Sequence, residues 1–264
     1  NYVHDLIKDK QGTLWFGTNR GIASLNPKTG DIHKINRNNY PQLKGYIFTH
    51  LAFDKQGLLW ALSEKHGINI INTKSNTVKV LDQINGTSVF STIYSDSESN
   101  IWVGTKYGQI FYAGPPYNTF TTIENIELGA LGEINKFEAI NASKMVVSTE
   151  TGPFLITDKT NIDNLTEGGK LRYTKTNTAY AESKDLVWIG TAEKGMYLID
   201  FSNNQEKIFH YHKNPYDNSS IVDDNILEVY EDVSGIIWVG TEKGVSKFDK
   251  FKQGFTTISL NNNP

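Results

Sequence analysis

Cysteine is absent from all 264 residues, which excludes disulfides, thiol catalysis and cysteine metal sites. The absence leaves the compartment open, because a periplasmic protein need not use disulfides. Arginine is scarce, with only Arg20, Arg37 and Arg172. No apolar run approaches the eighteen or so residues of a membrane span, so no membrane contact is expected within this segment, and the N-terminus carries no signal-peptide pattern. No Pro-rich, Gly/Ser-rich or low-complexity tract interrupts the chain, so one continuous domain over 1–264 is expected. A formal charge of −3 and a pI near 6.1 give no electrostatic reason to expect a nucleic acid as partner. What is present is 38% hydrophobic and 12% aromatic residues, enough for a packed core.

The five tryptophans, Trp15, Trp60, Trp102, Trp188 and Trp238, are spaced 45, 42, 86 and 50 residues apart. Each ends or sits inside a recurring phrase: "KDKQGTLW", "FDKQGLLW", "SDSESNIWVGT", "ESKDLVWIGT" and "EDVSGIIWVGT". The gap of 86 is two periods, and a worn copy fills it at "NASKMVVSTETGPFLITD", with Met145-Val146 in place of Trp and Ser148-Thr149 in place of Gly-Thr. Six copies at roughly 43 residues mark a solenoid or a propeller.

Within the first copy four short β-prone runs, His4–Asp9, Thr13–Thr18, Gly21–Asn26 and Asp31–Asn36, are separated by turn-forming "KQG", "NR" and "PKTG". None is long enough, or periodic at 3.6, to be a helix. The second run is apolar on successive residues, as a strand covered on both faces must be. The spacing predicts an all-β fold, a β-propeller of about six four-stranded antiparallel blades near 1–37, 46–81, 89–123, 133–174, 178–212 and 222–260.

The repeat itself reads as scaffold. Asp9, Asp54 and Asp232 precede the first turn, where a carboxylate accepts a hydrogen bond from the backbone two residues on. Gly12, Gly57 and Gly235 supply the positive φ that turn needs, and the tryptophan three residues later buries its ring against the next blade. Gly17, Gly104, Gly190 and Gly240 are expected where backbones approach closely.

The phrase D-x-x-G-x-[IL]-W-[IVF]-G-T-x-x-G-[IL], followed by an aromatic-Asp or Asn-Pro turn, resembles the two-component regulator propeller repeat. The link "FHYHKNPYDNSSIVDDNILEVYED" also resembles that family's join between blades. The likeness covers essentially the whole chain, with Ala61-Leu62-Ser63 departing from x-G-T in copy two and copy four poor throughout. It implies the periplasmic sensor of a Bacteroides-type hybrid two-component system, recognising oligosaccharides released from glycans. The message would pass to a histidine kinase and response regulator that lie outside these residues. Family sensors carry seven-bladed propellers in tandem, so six repeats are either a closed ring or a piece of a larger propeller, and the piece is favoured. The chain opens at Asn1-Tyr2-Val3 already inside the pattern, and an excised or processed segment is expected.

Recognition then belongs to the loops between strands two and three and to the links between blades. Arg20, His66, Tyr107, Lys194 and Tyr216 are of the types that bind sugars, offering aromatic platforms and donor groups. The competing reading is that they are ordinary solvated turn residues. An oligosaccharide ligand, adjoining blades or domains of the parent protein and a homodimer are the partners considered. His210 and His212 share a strand face, but the matching positions Ile32 and Lys34 are not a ligand pair, so neither a metal nor any other cofactor is expected. No catalytic residue is assigned, because the acids before the turns recur with the period. The turn differs by one residue from a sialidase Asp box, and Glu64-Lys65-His66 is the only place for a lyase-type histidine with an acidic partner. A protein-interaction propeller and, behind it, a propeller lyase or glycosidase are the alternatives.

Overall fold

The structure is a computed structural model that describes residues 2–123, 130–202, 206–250 and 254–258. Alternating short β-prone runs and turns give six four-stranded sheets. Blade one holds β1 (Val3–Lys8), β2 (Leu14–Thr18), β3 (Gly21–Leu25) and β4 (Ile32–Ile35). Blade two holds β5 (Phe48–Phe53), β6 (Leu59–Ser63), β7 (Gly67–Asn72) and β8 (Thr77–Leu81). Blade three holds β9 (Phe90–Ser95), β10 (Ile101–Thr105), β11 (Ile110–Ala113) and β12 (Thr121–Thr122). Blade four holds β13 (Ile134–Ala139), β14 (Lys144–Thr149), β15 (Gly152–Thr157) and β16 (Asn161–Asn164). Blade five holds β17 (Thr176–Ala181), β18 (Leu186–Thr191), β19 (Met196–Asp200) and β20 (Lys207–Tyr211). Blade six holds β21 (Ile226–Glu231), β22 (Ile237–Thr241), β23 (Gly244–Asp249) and β24 (Gly254–Ile258).

In every sheet the strands lie side by side in chain order, and the pairings are antiparallel. The fold is therefore all-β, a propeller of six blades; the only helical element among the described residues is a 3-10 turn at Glu167–Gly169. The chain divides into two compact units, residues 1–123 with blades one to three and residues 124–264 with blades four to six. Most of the expected link between β12 and β13, and residues 259 and 260 of the expected last strand, lie outside the described residues.

Packing between neighbouring blades explains the apolar second strands. All five residues of β6 and of β10 are buried. In the first unit Trp15 and Ile22 pack with Phe48, Leu51 and Leu59 of blade two. Trp60 and Ile68 pack in turn with Phe90 and Ile93 of blade three. In the second unit Val146 and Leu165 meet Ala179 and Val187, and Trp188 and Met196 meet Ile226 and Val229. Close approach is real at Gly17 and Gly190, where an added Cβ would sit 2.6 Å from the Phe48 carbonyl oxygen and 2.6 Å from Ile226 Cγ2. At Gly240 the expectation fails: the nearest atom would be Glu228 O at 3.8 Å.

Candidate functional site

The Asp-x-x-Gly turn does more than bend the chain. Asp9 Oδ1 accepts the amides of Gln11 and Thr13, both at 2.9 Å, while Oδ2 accepts the Trp15 indole Nε1–H at 2.9 Å. The same acid-to-indole bond six residues apart joins Asp54–Trp60 (3.0 Å), Asp96–Trp102 (2.9 Å), Glu182–Trp188 (2.7 Å) and Asp232–Trp238 (2.7 Å). In blade four Val146 takes the indole's register place and Ile140 the acid's, so donor and acceptor are lost together and neither is left unpaired. The Ser234 hydroxyl and then the Trp238 indole hold the Asp232 carboxyl well below the usual carboxylate range. At Asp9 burial pushes upward, but the Trp15 indole and the turn amides outweigh it. These groups are fully engaged in holding blades together.

Each first strand carries a register shift, between Val3 and Asp5 in β1 and at the matching place in β5, β9, β13, β17 and β21. Such bulges re-aim side chains, and here the residue after the shift is always polar. It is Asp5, His50 and Thr92 in the first unit and Lys136, Thr178 and Glu228 in the second. In the second unit Lys136 Nζ donates to Thr178 Oγ1 (3.0 Å) and to Glu228 Oε1, and the Thr178 hydroxyl donates to the same carboxylate at 3.0 Å. Burial pushes the neighbouring Glu138 carboxyl up, against the pull of Lys136. Tyr180 is pushed up to about 12 by burial and by Glu231. These rows went unread in the sequence, yet a signal existed: a polar residue ten positions before every anchor, six times out of six.

On the loop side of the first unit, the link from β4 to β5 is stapled down by buried Tyr40 and Leu43. Arg37 donates to the Leu43 carbonyl (3.1 Å) and to the Tyr46 hydroxyl (3.0 Å), with its guanidinium 4.7 Å from the Tyr46 ring centre. Arg20 shares a cavity of about 220 Å³ with Arg37, Leu43, Gly45 and Tyr46. Gly45 lies against blade two: a Cβ placed on it would run into Ser63 Oγ and sit 3.3 Å from His66 Nδ1. The structure thus brings Arg20 together with Arg37 and Tyr46 around one cavity, while His66 meets the same link at Gly45 without lining that cavity. Tyr107 stands 61% exposed in the β10–β11 turn, and no described hydrogen bond joins it to Arg20 or His66. In the second unit Lys194 is tied down, its ammonium donating to Thr174 Oγ1 at 3.3 Å and its carbonyl 2.6 Å from His210 Nε2. Tyr216 projects from the β20–β21 link, 98% exposed. His210 stacks on Tyr197 at 4.2 Å and lies 5.1 Å from His212. Among the described residues no three His, Cys, Asp or Glu side chains are grouped to hold a metal ion.

Residues 1–20 and 83–107, which span the first two strands of blades one and three and reach Arg20 and Tyr107, match the two component regulator propeller. Both segments are similar to that repeat. Among curated proteins none matches the sequence significantly. In structure the chain is similar to the extracellular domain of a putative hybrid two component system from B. thetaiotaomicron, with a TM-score of 0.68 and 16% identity over 93% of this chain. It spans only 38% of that neighbour. Virginiamycin B lyase from Staphylococcus aureus gives a TM-score of 0.74 at 12% identity, covering 99% of this chain and 85% of the lyase. PorZ of the Porphyromonas gingivalis type-IX secretion system gives 0.74 at 14%, covering 93% of this chain and 38% of PorZ. At these identities the structural likeness speaks for the propeller fold alone. No described helix is long and apolar enough to cross a membrane.

Proposed function

We propose that this chain is the extracytoplasmic, periplasmic ligand-sensing propeller region of a hybrid two-component system. It binds a glycan-derived oligosaccharide without chemistry on it and passes the signal to a histidine kinase elsewhere in the parent protein. The observation that carries this reading is the coincidence of regulator propeller repeats with likeness to a hybrid-system extracellular domain. The cluster of Arg20, Arg37 and Tyr46 supports it, pairing donor groups with an aromatic ring around one cavity. A lyase reading has only the fold in its favour: Glu64 and His66, its one candidate pair, form no hydrogen bond with each other in the described structure. Exposed Tyr107 and Tyr216 favour a protein-interaction surface as the second reading.

The test is a thermal-shift screen against neutral, acidic and sulfated oligosaccharides. A ligand at a hundred times its dissociation constant adds about 2.7 kcal/mol, roughly 5–10 °C for a domain of this size. A shift with one glycan class, lost in Arg20→Ala or Tyr107→Ala, is the expected outcome. No shift with any glycan would turn the reading toward protein contacts.

A further inference from the structure

The first unit also holds a larger cavity of about 760 Å³ between the outer strands of blade one, the β4–β5 link at Asn39 and Tyr40, and the β7–β8 turn of blade two. Its floor is a single cross-strand row: Trp15 on β2 pairs with Ser24 on β3, and Ser24 pairs with His33 on β4. In the other blades the middle place of that row is occupied by Ile70, Tyr112, Leu155, Leu198 or Lys247. Tyr112 there stacks directly on Trp102 with ring centres 5.0 Å apart. Ser24 is by far the smallest of the six, and it leaves room beside the indole, with 4% of Ser24 and 9% of Trp15 exposed.

The far wall is polar. Tyr40 donates its hydroxyl to Asn76 Oδ1 at 2.9 Å, which leaves the Asn76 amide hydrogens and a Tyr40 lone pair to offer. Trp15 has already given its N–H to Asp9, so it presents only its carbon framework. Ser24, 4% exposed, and His33 make no side-chain hydrogen bond to any described residue. Asp31 and Lys34, which also line the space, carry opposite charges. An apolar patch surrounded by groups that both donate and accept, with no net charge, matches a ring that has C–H faces and hydroxyls around its edge. The volume falls in the ordinary range of small-molecule sites.

We propose that this groove over Trp15, Ser24 and His33 binds a neutral pyranose, as a single sugar or the end of an oligosaccharide. The proposal rests on the carbohydrate-sensing reading for the class of ligand, but places it in a cavity whose lining shares no residue with that of Arg20, Arg37 and Tyr46.

Isothermal titration of the whole chain with glucose, galactose, mannose, maltose, cellobiose and glucuronate tests it. At least one neutral sugar should bind, and Ser24→Leu, which restores the filling found at Leu198, should weaken it tenfold or more. His33→Ala, a change at an exposed position, should weaken it severalfold and serves if Ser24→Leu does not fold. Lys184→Ala, a change at an exposed turn of blade five, should bind as the parent does. If binding survives Ser24→Leu in a folded protein and is lost in Arg20→Ala, the groove proposal falls and the loop-side reading stands. Binding of glucuronate alone would also overturn the groove. If no sugar of any class binds here or in the oligosaccharide screen, both fall.

Discussion

Asp54 shows what the repeat demands of a single residue. It is 2% exposed, and its carboxylate accepts the Leu58 amide at 2.9 Å and the Trp60 indole at 3.0 Å. Asp54→Ala leaves both donors buried without an acceptor, a loss of about 2–3 kcal/mol in urea unfolding. In a Trp60→Phe background one of those donors is gone, and the cost of Asp54→Ala should shrink by about 1 kcal/mol. Equal costs in both backgrounds would mean that the indole bond contributes nothing. Glu138 is the opposite case, a carboxyl that burial makes easier to protonate when folded. Its charged form therefore opposes folding, so Glu138→Gln should raise the thermal midpoint at pH 7. The gain should fade as pH drops to about 4, where the unfolded carboxyl also takes its proton. Gln can still accept the Ala181 amide that Glu138 accepts at 3.2 Å.

At the scale of strands, the glycine of the second strand has two different lives. Gly190 lies against β21, and a methyl group there would meet both Ile226 and Thr178 at 2.6 Å. Gly240 faces nothing closer than 3.8 Å. Gly190→Ala should therefore cost about 1–3 kcal/mol from overpacking, while Gly240→Ala should be within about 0.5 kcal/mol of neutral or better. Denaturant midpoints of the two variants, measured side by side, check the contrast. The bulge in β17 is held in the same way by particular partners. Asn177 Nδ2 donates to the Ile226 carbonyl at 2.9 Å and to Asn225 Oδ1 at 3.1 Å, linking blade five to blade six. Asn177→Ala should cost about 1–2 kcal/mol, since it strands a carbonyl on a fully buried residue.

For the whole molecule, the titrating groups combine into an acid response. Asp9, Asp200, Asp217 and Asp232 are all held below the ordinary carboxylate range, each by hydrogen bonds within its own turn. A carboxylate depressed in the folded state contributes stability above its unfolded pKa of about 3.9 and loses it as pH falls through the folded value. In the Glu138→Gln background, which removes the carboxyl that works in the opposite sense, urea midpoints should be flat from pH 7 to about 5 and fall steeply below 4. Asp232→Asn should start lower and fall less steeply. A midpoint that rises as pH falls below 4 would contradict the assignment.

The period of about 43, the acid-glycine-tryptophan phrase and the alternation of short apolar runs with turns were enough to place the strands of blade one to within a residue. Those features are local, since a hairpin turn and a buried strand leave their marks on consecutive residues. The worn fourth copy could be found by counting alone. What tertiary structure decided is which residues from distant parts of the period come to share a surface. The acid-to-indole bond spans six residues across a turn and becomes visible only once the ring's rotamer is set. Arg20 and Tyr46 are 26 positions apart, and only the fold of the 36–47 link puts them around one cavity. Ser24 looked like any polar residue on an alternating strand. Its significance comes from the row it completes with Trp15 and His33, because an empty volume is a property of three strands and a neighbouring blade together, and no single segment of the sequence contains it.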